Sequence, residues 1–200
     1  MTIYFDNAAT TKVFPEVMSV MEDAMNVSYG NPSAKHRKGM EAENLIKEAQ
    51  ETIAKSLKAK PKEIYFTSGG TESNNTAIIG TALANKRKGK HIITSRIEHA
   101  SVYEPMAFLE DLGFEVTYLN VDSKGRILLE ELEASIRPDT ILVSLMFVNN
   151  EIGAVQPIKE AGEIIKKKNK DTVFHVDAIQ AYGKLPIVPK NLKIDLLSMS

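Results

Sequence analysis

Cysteine and tryptophan are absent from the 200-residue chain, no long apolar run interrupts it, and charge of neither sign prevails. Without cysteine these residues hold no disulfide, no thiolate metal site and no cysteine nucleophile. With 25 basic against 26 acidic side chains the formal net charge is -1. No overall field therefore draws the chain to nucleic acid or an anionic membrane, and small, site-specific ligands are the expected partners. The opening Met1-Thr2-Ile3-Tyr4-Phe5-Asp6 has neither a basic segment nor an apolar stretch. Neither a signal peptide nor a membrane span is expected, and the expected compartment is the cytoplasm. What is present, 43% hydrophobic and 26% charged residues, suits one sizeable buried core.

The most informative stretch is Thr67-Ser68-Gly69-Gly70-Thr71-Glu72-Ser73-Asn74-Asn75, which follows Ile64-Tyr65-Phe66. A β-rich triplet, a glycine pair and then an alanine- and isoleucine-bearing segment read as strand, tight turn and helix. Glycines let backbone approach a ligand, the first helical N–H groups are unpaired, and the helix dipole favours an anion there. A phosphate is the natural guest. The turn lacks the Gly-Lys-Ser/Thr ending of a triphosphate loop and the spacing of a dinucleotide fold, so a generic nucleotide binder is disfavoured. The plainer reading is a glycine turn with Ser68 or Thr71 as an ordinary helix cap.

Elsewhere the chain alternates. A helix is predicted from 15 to about 25, with Pro15 in its first turn and Val17, Met18, Met21 and Met25 along one side, the methionines filling core. After the loop Tyr29-Gly30-Asn31-Pro32-Ser33-Ala34, a second helix is predicted over about 36–58, with His36 at its entry as a cap or a surface residue. Strands are predicted at 64–67, 91–95, 114–120, 140–148, 172–177 and 195–200, and helices at about 72–88, 100–112, 128–136 and 158–168. The unalternating apolar run 141–148 suggests a strand covered on both faces. Lys166-Lys167-Lys168-Asn169-Lys170 reads as the cationic end of a helix rather than a nucleic-acid patch. The pattern is that of an α/β fold with a mainly parallel sheet and helices on both faces.

Ligands of such sheets gather at the carboxyl ends of the strands. Distinctive groups stand there: Ser68-Gly69-Gly70-Thr71, Glu98-His99, Asn149-Asn150-Glu151 and Asp177. An acid closing an apolar strand is costly to ionise unless a cation sits beside it, and a pyridinium nitrogen is one such partner. A helix cap is the alternative for Asp177. His99 suits stacking on a flat ring and carrying protons, or simply entering a helix. Asn150 and Gln180 offer amides for a ring oxygen or a substrate carboxylate, or are loop residues.

Together these meet the needs of pyridoxal 5'-phosphate, and the residues resemble a known family. Ser68-Gly69-Gly70-Thr71-Glu72-Ser73-Asn74-Asn75, Glu98-His99, Asn149-Asn150-Glu151-Ile152-Gly153, His175-Val176-Asp177-Ala178-Ile179-Gln180, the opening Tyr4-Phe5-Asp6-Asn7-Ala8-Ala9-Thr10-Thr11, and Tyr29-Gly30-Asn31-Pro32-Ser33 are similar, in order, to the cysteine desulfurases of the class V aminotransferase superfamily. The resemblance implies the large domain of a fold-type I enzyme, with residues 1–14 as an arm lining the active site, 15–200 as part of the cofactor domain, and the small C-terminal domain absent. It implies removal of sulfur from L-cysteine, leaving alanine and an enzyme-bound persulfide for iron–sulfur cluster or thio-cofactor synthesis, a sulfur-accepting or scaffold protein, and a homodimer. It assigns Gly70, Thr71 and Ser200 to the cofactor phosphate, His99 to ring stacking and proton transfer, Asp177 to the ring nitrogen, and Gln180 and Asn150 to the ring oxygen, with Asn150 also near substrate.

The chain departs from that pattern at its end. In the family, Ser-x-Ser is followed by a small residue, a His and the Schiff-base Lys, and this sequence stops at Ser200, three positions short. The sulfur-accepting Cys and the Arg for the substrate carboxylate belong to the later part of the family's chain. Lys184, between Gly183 and Pro186, reads as a surface-turn residue rather than a substitute. The 200 residues alone are expected to be inactive. The alternatives are another class V enzyme, such as a transaminase or selenocysteine lyase, and a non-catalytic module that binds partners of sulfur transfer.

Overall fold

Alternating apolar and polar segments fold here into alternating strands and helices. A computed structural model describes residues 3–200, so the first two residues of the expected arm lie outside the described part. The chain divides into two units, Met1–Tyr65 and Phe66–Ser200.

In the first unit, helix α1 (Pro15–Asn26) begins with Pro at its first position, where a missing N–H costs nothing, and α2 spans Arg37–Leu57. His36 caps α2 as expected: its Nδ1 accepts from Gly39 N at 3.3 Å. Gly39 is required there, because a Cβ would run into the Ala34 carbonyl oxygen. Lys58, in the left-handed conformation at φ 53°, ends the helix. Two expectations fail, one in this unit and one across its end. The methionines of α1 are not core: Met18, Met21 and Met25 are 47%, 45% and 64% exposed, and α1 buries no residue. The predicted strand at 64–67 does not form either. A single 3-10 turn at Pro61–Glu63 leads into extended backbone with no ladder partner among the described residues. Its apolar side chains favour extension, but a strand exists only when a neighbour pairs with it.

The second unit contains α3 (Gly70–Asn85), β1 (His91–Ser95), α4 (Ala100–Asp111), β2 (Glu115–Leu119), α5 (Leu129–Ser135), β3 (Thr140–Met146), α6 (Ile158–Lys168), β4 (Val173–Asp177), α7 (Pro189–Leu192) and β5 (Leu196–Ser198). Among the described residues the strands form one sheet in the order β2-β1-β3-β4-β5, and every neighbouring pair is parallel. Helices flank the sheet, so the expected α/β class with a parallel sheet is observed. Helix α3 packs on β3, β4 and β5, and α4 on β2 and on α3. Strand β3 is buried along its whole length, which explains its unbroken apolar run. Ile78 and Ala82 of α3 form a buried cluster with Ile92, Val102, Met106, Leu109, Phe114, Ile141 and Leu142. Two buried histidines cross-link the strands. His91 of β1 reaches Thr140 and Thr117, and His175 of β4 reaches Ser144 at 2.8 Å and Ser198 at 2.9 Å. Burial pushes the His175 imidazole down to about 3, so at neutral pH it is an uncharged staple.

Candidate functional site

A parallel sheet sends all its strand ends to one edge, and the side chains singled out in the sequence stand there. Asp177 is the last residue of β4, in register with Met146 of β3 and Ser198 of β5, and it is 6% exposed. Its Oδ2 accepts from Asn74 Nδ2 of α3 at 2.8 Å, and its Oδ1 from Ile179 N at 3.0 Å. The second bond closes an Asx turn; residues 179–184 follow as turns, so Asp177 does not cap a helix.

The same turn meets the start of α3. Gly70 packs so tightly on Ile179 that a Cβ there would collide with the Ile179 Cδ1. Gly69 is the N-cap, without any side-chain cap, so neither Ser68 nor Thr71 takes that role. The first intrahelical bond is Ser73 N to Gly69 O at 3.1 Å, which leaves the N–H groups of Gly70, Thr71 and Glu72 ahead of it. Glu72 bends back to accept from Ser68 N at 2.6 Å, and the Ser68 hydroxyl first, then this backbone bond, hold its carboxyl below the usual range. A Cβ built on Gly69 would meet nothing within 4 Å. Open space beside unpaired helix N–H groups is a fitting cradle for an anion.

His99 is exposed and is the N-cap of α4: its Nδ1 accepts from Ser101 N at 3.1 Å and lies 2.8 Å from Ser101 Oγ. Ser101 Oγ in turn accepts from Asn74 Nδ2 at 2.9 Å. The structure thus brings Gly70, Asp177 and His99 into one connected set through α3. Pro105, inside α4, cannot bond the Ser101 carbonyl four residues back, and Asn75 Nδ2 approaches that carbonyl at 3.4 Å.

Other expected residues are less tied in. Thr71 is exposed in the first turn of α3, its carbonyl accepting from Asn75 Nδ2 at 2.8 Å. Half-buried Asn150 donates to Glu151 Oε1 at 2.8 Å. Gln180, next to Ile179, accepts from Lys184 Nζ through its carbonyl and its Oε1, at 3.2 and 3.4 Å. Lys184 is exposed in a turn, as its sequence neighbours indicated. Ser200 is exposed and lies beyond the end of β5, two residues past the register partner of Asp177.

Sequence reasoning gave no individual role to Asn74, Ser101 and Glu98, or to Asn149. Glu98 is buried, and its Oε1 accepts from Ser95 Oγ at 2.5 Å and Met146 N at 3.1 Å, while Oε2 has no partner. Burial first, and the nearby Asp177 charge last among the causes, push its carboxyl up to about 8, so the neutral acid prevails at pH 7. Asn149 donates to Ile97 O and accepts from Glu151 N and Ile152 N, each at 2.9 Å. Glu98 and Asn149 together lace the loop carrying His99 to the loop after β3. No signal local to either stretch marks these partners, which lie 48 and 52 residues apart. No cluster of three metal-ligating side chains occurs among the described residues.

An anion cradle, a buried carboxylate and an exposed imidazole on one sheet edge suit a flat ligand with a phosphate at one side and a cationic nitrogen at another. Asn74 and Ile179 give Asp177 neutral donors, and among the described residues no cation pairs with it, a place that such a nitrogen would fill. Comparison with known proteins places the chain in a family. The family described as aminotransferase class-V matches residues 3–200. The chain is 54% identical over 198 residues to a cysteine desulfurase IscS of Methanosarcina thermophila, covering 99% of this chain and 48% of that protein. It is 50% identical to the cysteine desulfurase IscS of Dictyoglomus turgidum, covering 99% and 50%. Among solved structures, a NifS-like protein superposes with a TM-score of 0.97 at 44% identity, covering all of this chain and 55% of that one. SspA, solved in complex with cysteine, superposes with 0.95 at 45% identity, covering 100% and 57%. The chain therefore spans about half the length of the curated relatives it matches, and it belongs to the aminotransferase class-V family.

Proposed function

We propose that these residues are the cofactor-binding portion of a pyridoxal 5'-phosphate-dependent cysteine desulfurase. The observation that carries the reading is the bond between Asn74 and Asp177. It fixes a buried carboxylate against the helix whose N-terminus forms the anion cradle, in a chain more than half identical to a named desulfurase. Bound pyridoxal phosphate supplies an electron sink for negative charge developing on the substrate's α-carbon. Gly70 and Thr71, with Ser200, hold the phosphate through N–H and hydroxyl groups. Asp177 keeps the ring nitrogen protonated. His99 covers the ring and moves a proton, and Asn150 and Gln180 address the ring oxygen, with Asn150 also facing substrate. Within this proposal, residues 15–200 are part of the cofactor domain, L-cysteine is the substrate, and the working form is a cytoplasmic homodimer that passes sulfur to an acceptor or scaffold protein for iron–sulfur clusters or thio-cofactors.

These 200 residues contain no cysteine, so the group that accepts sulfur comes from outside them, and by themselves they are inactive. Two measurements test the reading. Titrating pyridoxal phosphate into the chain, followed by absorbance, is expected to show weak binding that Thr71→Ala weakens further. In a form extended through the Schiff-base lysine and the sulfur-accepting cysteine, alanine and sulfide are expected from cysteine, with Asp177→Asn lowering turnover about 100-fold or more. Transamination without sulfide release, or equal turnover by the Asp177→Asn variant, overturns the assignment.

A further inference from the structure

Asn74 is fully buried, and its amide is oriented in a way that is costly by itself. Both polar contacts of the side chain run through Nδ2, to Asp177 Oδ2 at 2.8 Å and to Ser101 Oγ at 2.9 Å, while Oδ1 is buried with no partner. An amide nitrogen has two N–H groups and no lone pair, so it donates to both. Turning the amide over would aim Oδ1 at a carboxylate, and the unpaired Oδ1 is the smaller penalty.

The direction of each later bond follows. Ser101 Oγ, accepting from Asn74, has its own proton free for His99 Nδ1, 2.8 Å away. The same Nδ1 also accepts from the Ser101 backbone N–H at 3.1 Å. A ring nitrogen facing two donors bears no hydrogen, so the imidazole proton resides on Nε2. We propose that Asn74 and Ser101 are positioning residues. They form a chain of hydrogen bonds that runs outward from Asn74, to Asp177 on one side and through Ser101 to His99 on the other, which aims the carboxylate and sets His99 in the Nε2–H tautomer, presenting Nε2 to a ligand as a donor. Pro105 and Asn75 keep the Ser101 backbone against α3. The relay makes the acid and the imidazole one unit spanning β4, α3 and α4. It deepens the proposed function by stating which atom of His99 faces the ligand, and it rests on that reading only for the identity of the ligand.

The test is made on the 200-residue chain by long-range proton–nitrogen correlation spectra of the histidine rings, of which there are four, with His99 assigned by its loss in His99→Gln. The expected result is a pyridine-like Nδ1 and a protonated Nε2 for His99. Ser101→Ala is expected to move the Nδ1 signal towards that of an unbonded imidazole, Ser101→Thr to keep it in place, and Asp177→Asn, three hydrogen bonds away, to move it in part. A protonated Nδ1 in the parent chain, or an Nδ1 signal that ignores Ser101→Ala, overturns the relay. Asn74→Ala is expected to give the same shift and to weaken pyridoxal phosphate binding about tenfold. The Ser101 pair alters one small group, so the relay remains testable even if Asn74→Ala fails to fold. Should the ring nitrogens respond as expected while the chain binds no pyridoxal phosphate, the relay stands and the cofactor reading falls. Binding together with unresponsive nitrogens removes the relay alone.

Discussion

Helix α1 in the first unit and strand β3 in the second are both rich in apolar side chains, yet α1 buries none of its residues and β3 buries all seven. Their local causes are equally sound. Pro15 opens α1, and Val17, Met18, Met21 and Met25 keep helical spacing. Strand β3 is a run of β-favouring residues. What differs is company: β3 has β1 and β4 hydrogen-bonded to its two edges and α3 packed on it, while the α1 stripe stays exposed. Element type is a local property and burial is not, so periodicity shows which face of an element seeks a partner without showing that one is present.

The sharpest way to break this contrast is truncation in both units. Leu142→Ala in β3, fully buried among Ile78, Ile92 and Met106, is expected to cost about 3 kcal/mol in urea unfolding. Met21→Ala in α1, at 45% exposure, should stay within about 0.5 kcal/mol. Similar costs at the two positions would erase the distinction. The first unit has tightly specified spots as well. Gly39→Ala places a Cβ against the backbone oxygens of Ala34 and Asn31 and is expected to cost about 2 kcal/mol, read as lost exchange protection along α2.

Buried ionisable groups sharpen the contrast next, because in the second unit two of them are held neutral. Glu98 keeps its proton to about pH 8 against an ordinary value of 4.5. Between those values the folded chain binds a proton that the unfolded chain has released, so stability falls as pH rises through that window. His175 acts in the opposite sense. With its value at about 3 against an ordinary 6.5, the unfolded chain takes up a proton the folded one refuses, so stability rises with pH between them. Glu98→Gln is expected to flatten the fall between pH 5 and 8 by roughly 3 kcal/mol, measured by thermal melts across pH. An unchanged slope would mean that Glu98 is ionised in the folded chain. The smallest effect belongs to the first unit: His36→Ala removes the cap bond to Gly39 N and should cost about 1 kcal/mol.

Much of the fold is visible in the residues themselves. The boundaries of β1 and α6 coincide with the sequence pattern, and β2, β3 and β4 with it to within a residue or two. The pattern misleads where a partner decides the outcome, as at 64–67, whose Ile64, Tyr65 and Phe66 favour a ladder that no described strand supplies. The site is legible to the same depth. Gly70, His99 and Asp177 announce themselves by residue type at strand ends. Asn74 looks like one more polar residue in a helix, and its role becomes apparent only with Ser101 and Asp177 beside it, 27 and 103 residues away.

That last separation also has a consequence for synthesis. At about 5–20 residues per second, a ribosome needs roughly 5 to 20 s after adding Asn74 to add Asp177, 103 positions later. During that interval the amide of the nascent helix has no carboxylate to meet. Each strand pairing in the sheet is also a parallel crossover rather than a hairpin, so little can zip up early. The strand-end edge is therefore assembled late, and a chain released before β4 has emerged holds the start of α3 but no Asp177 to set against it.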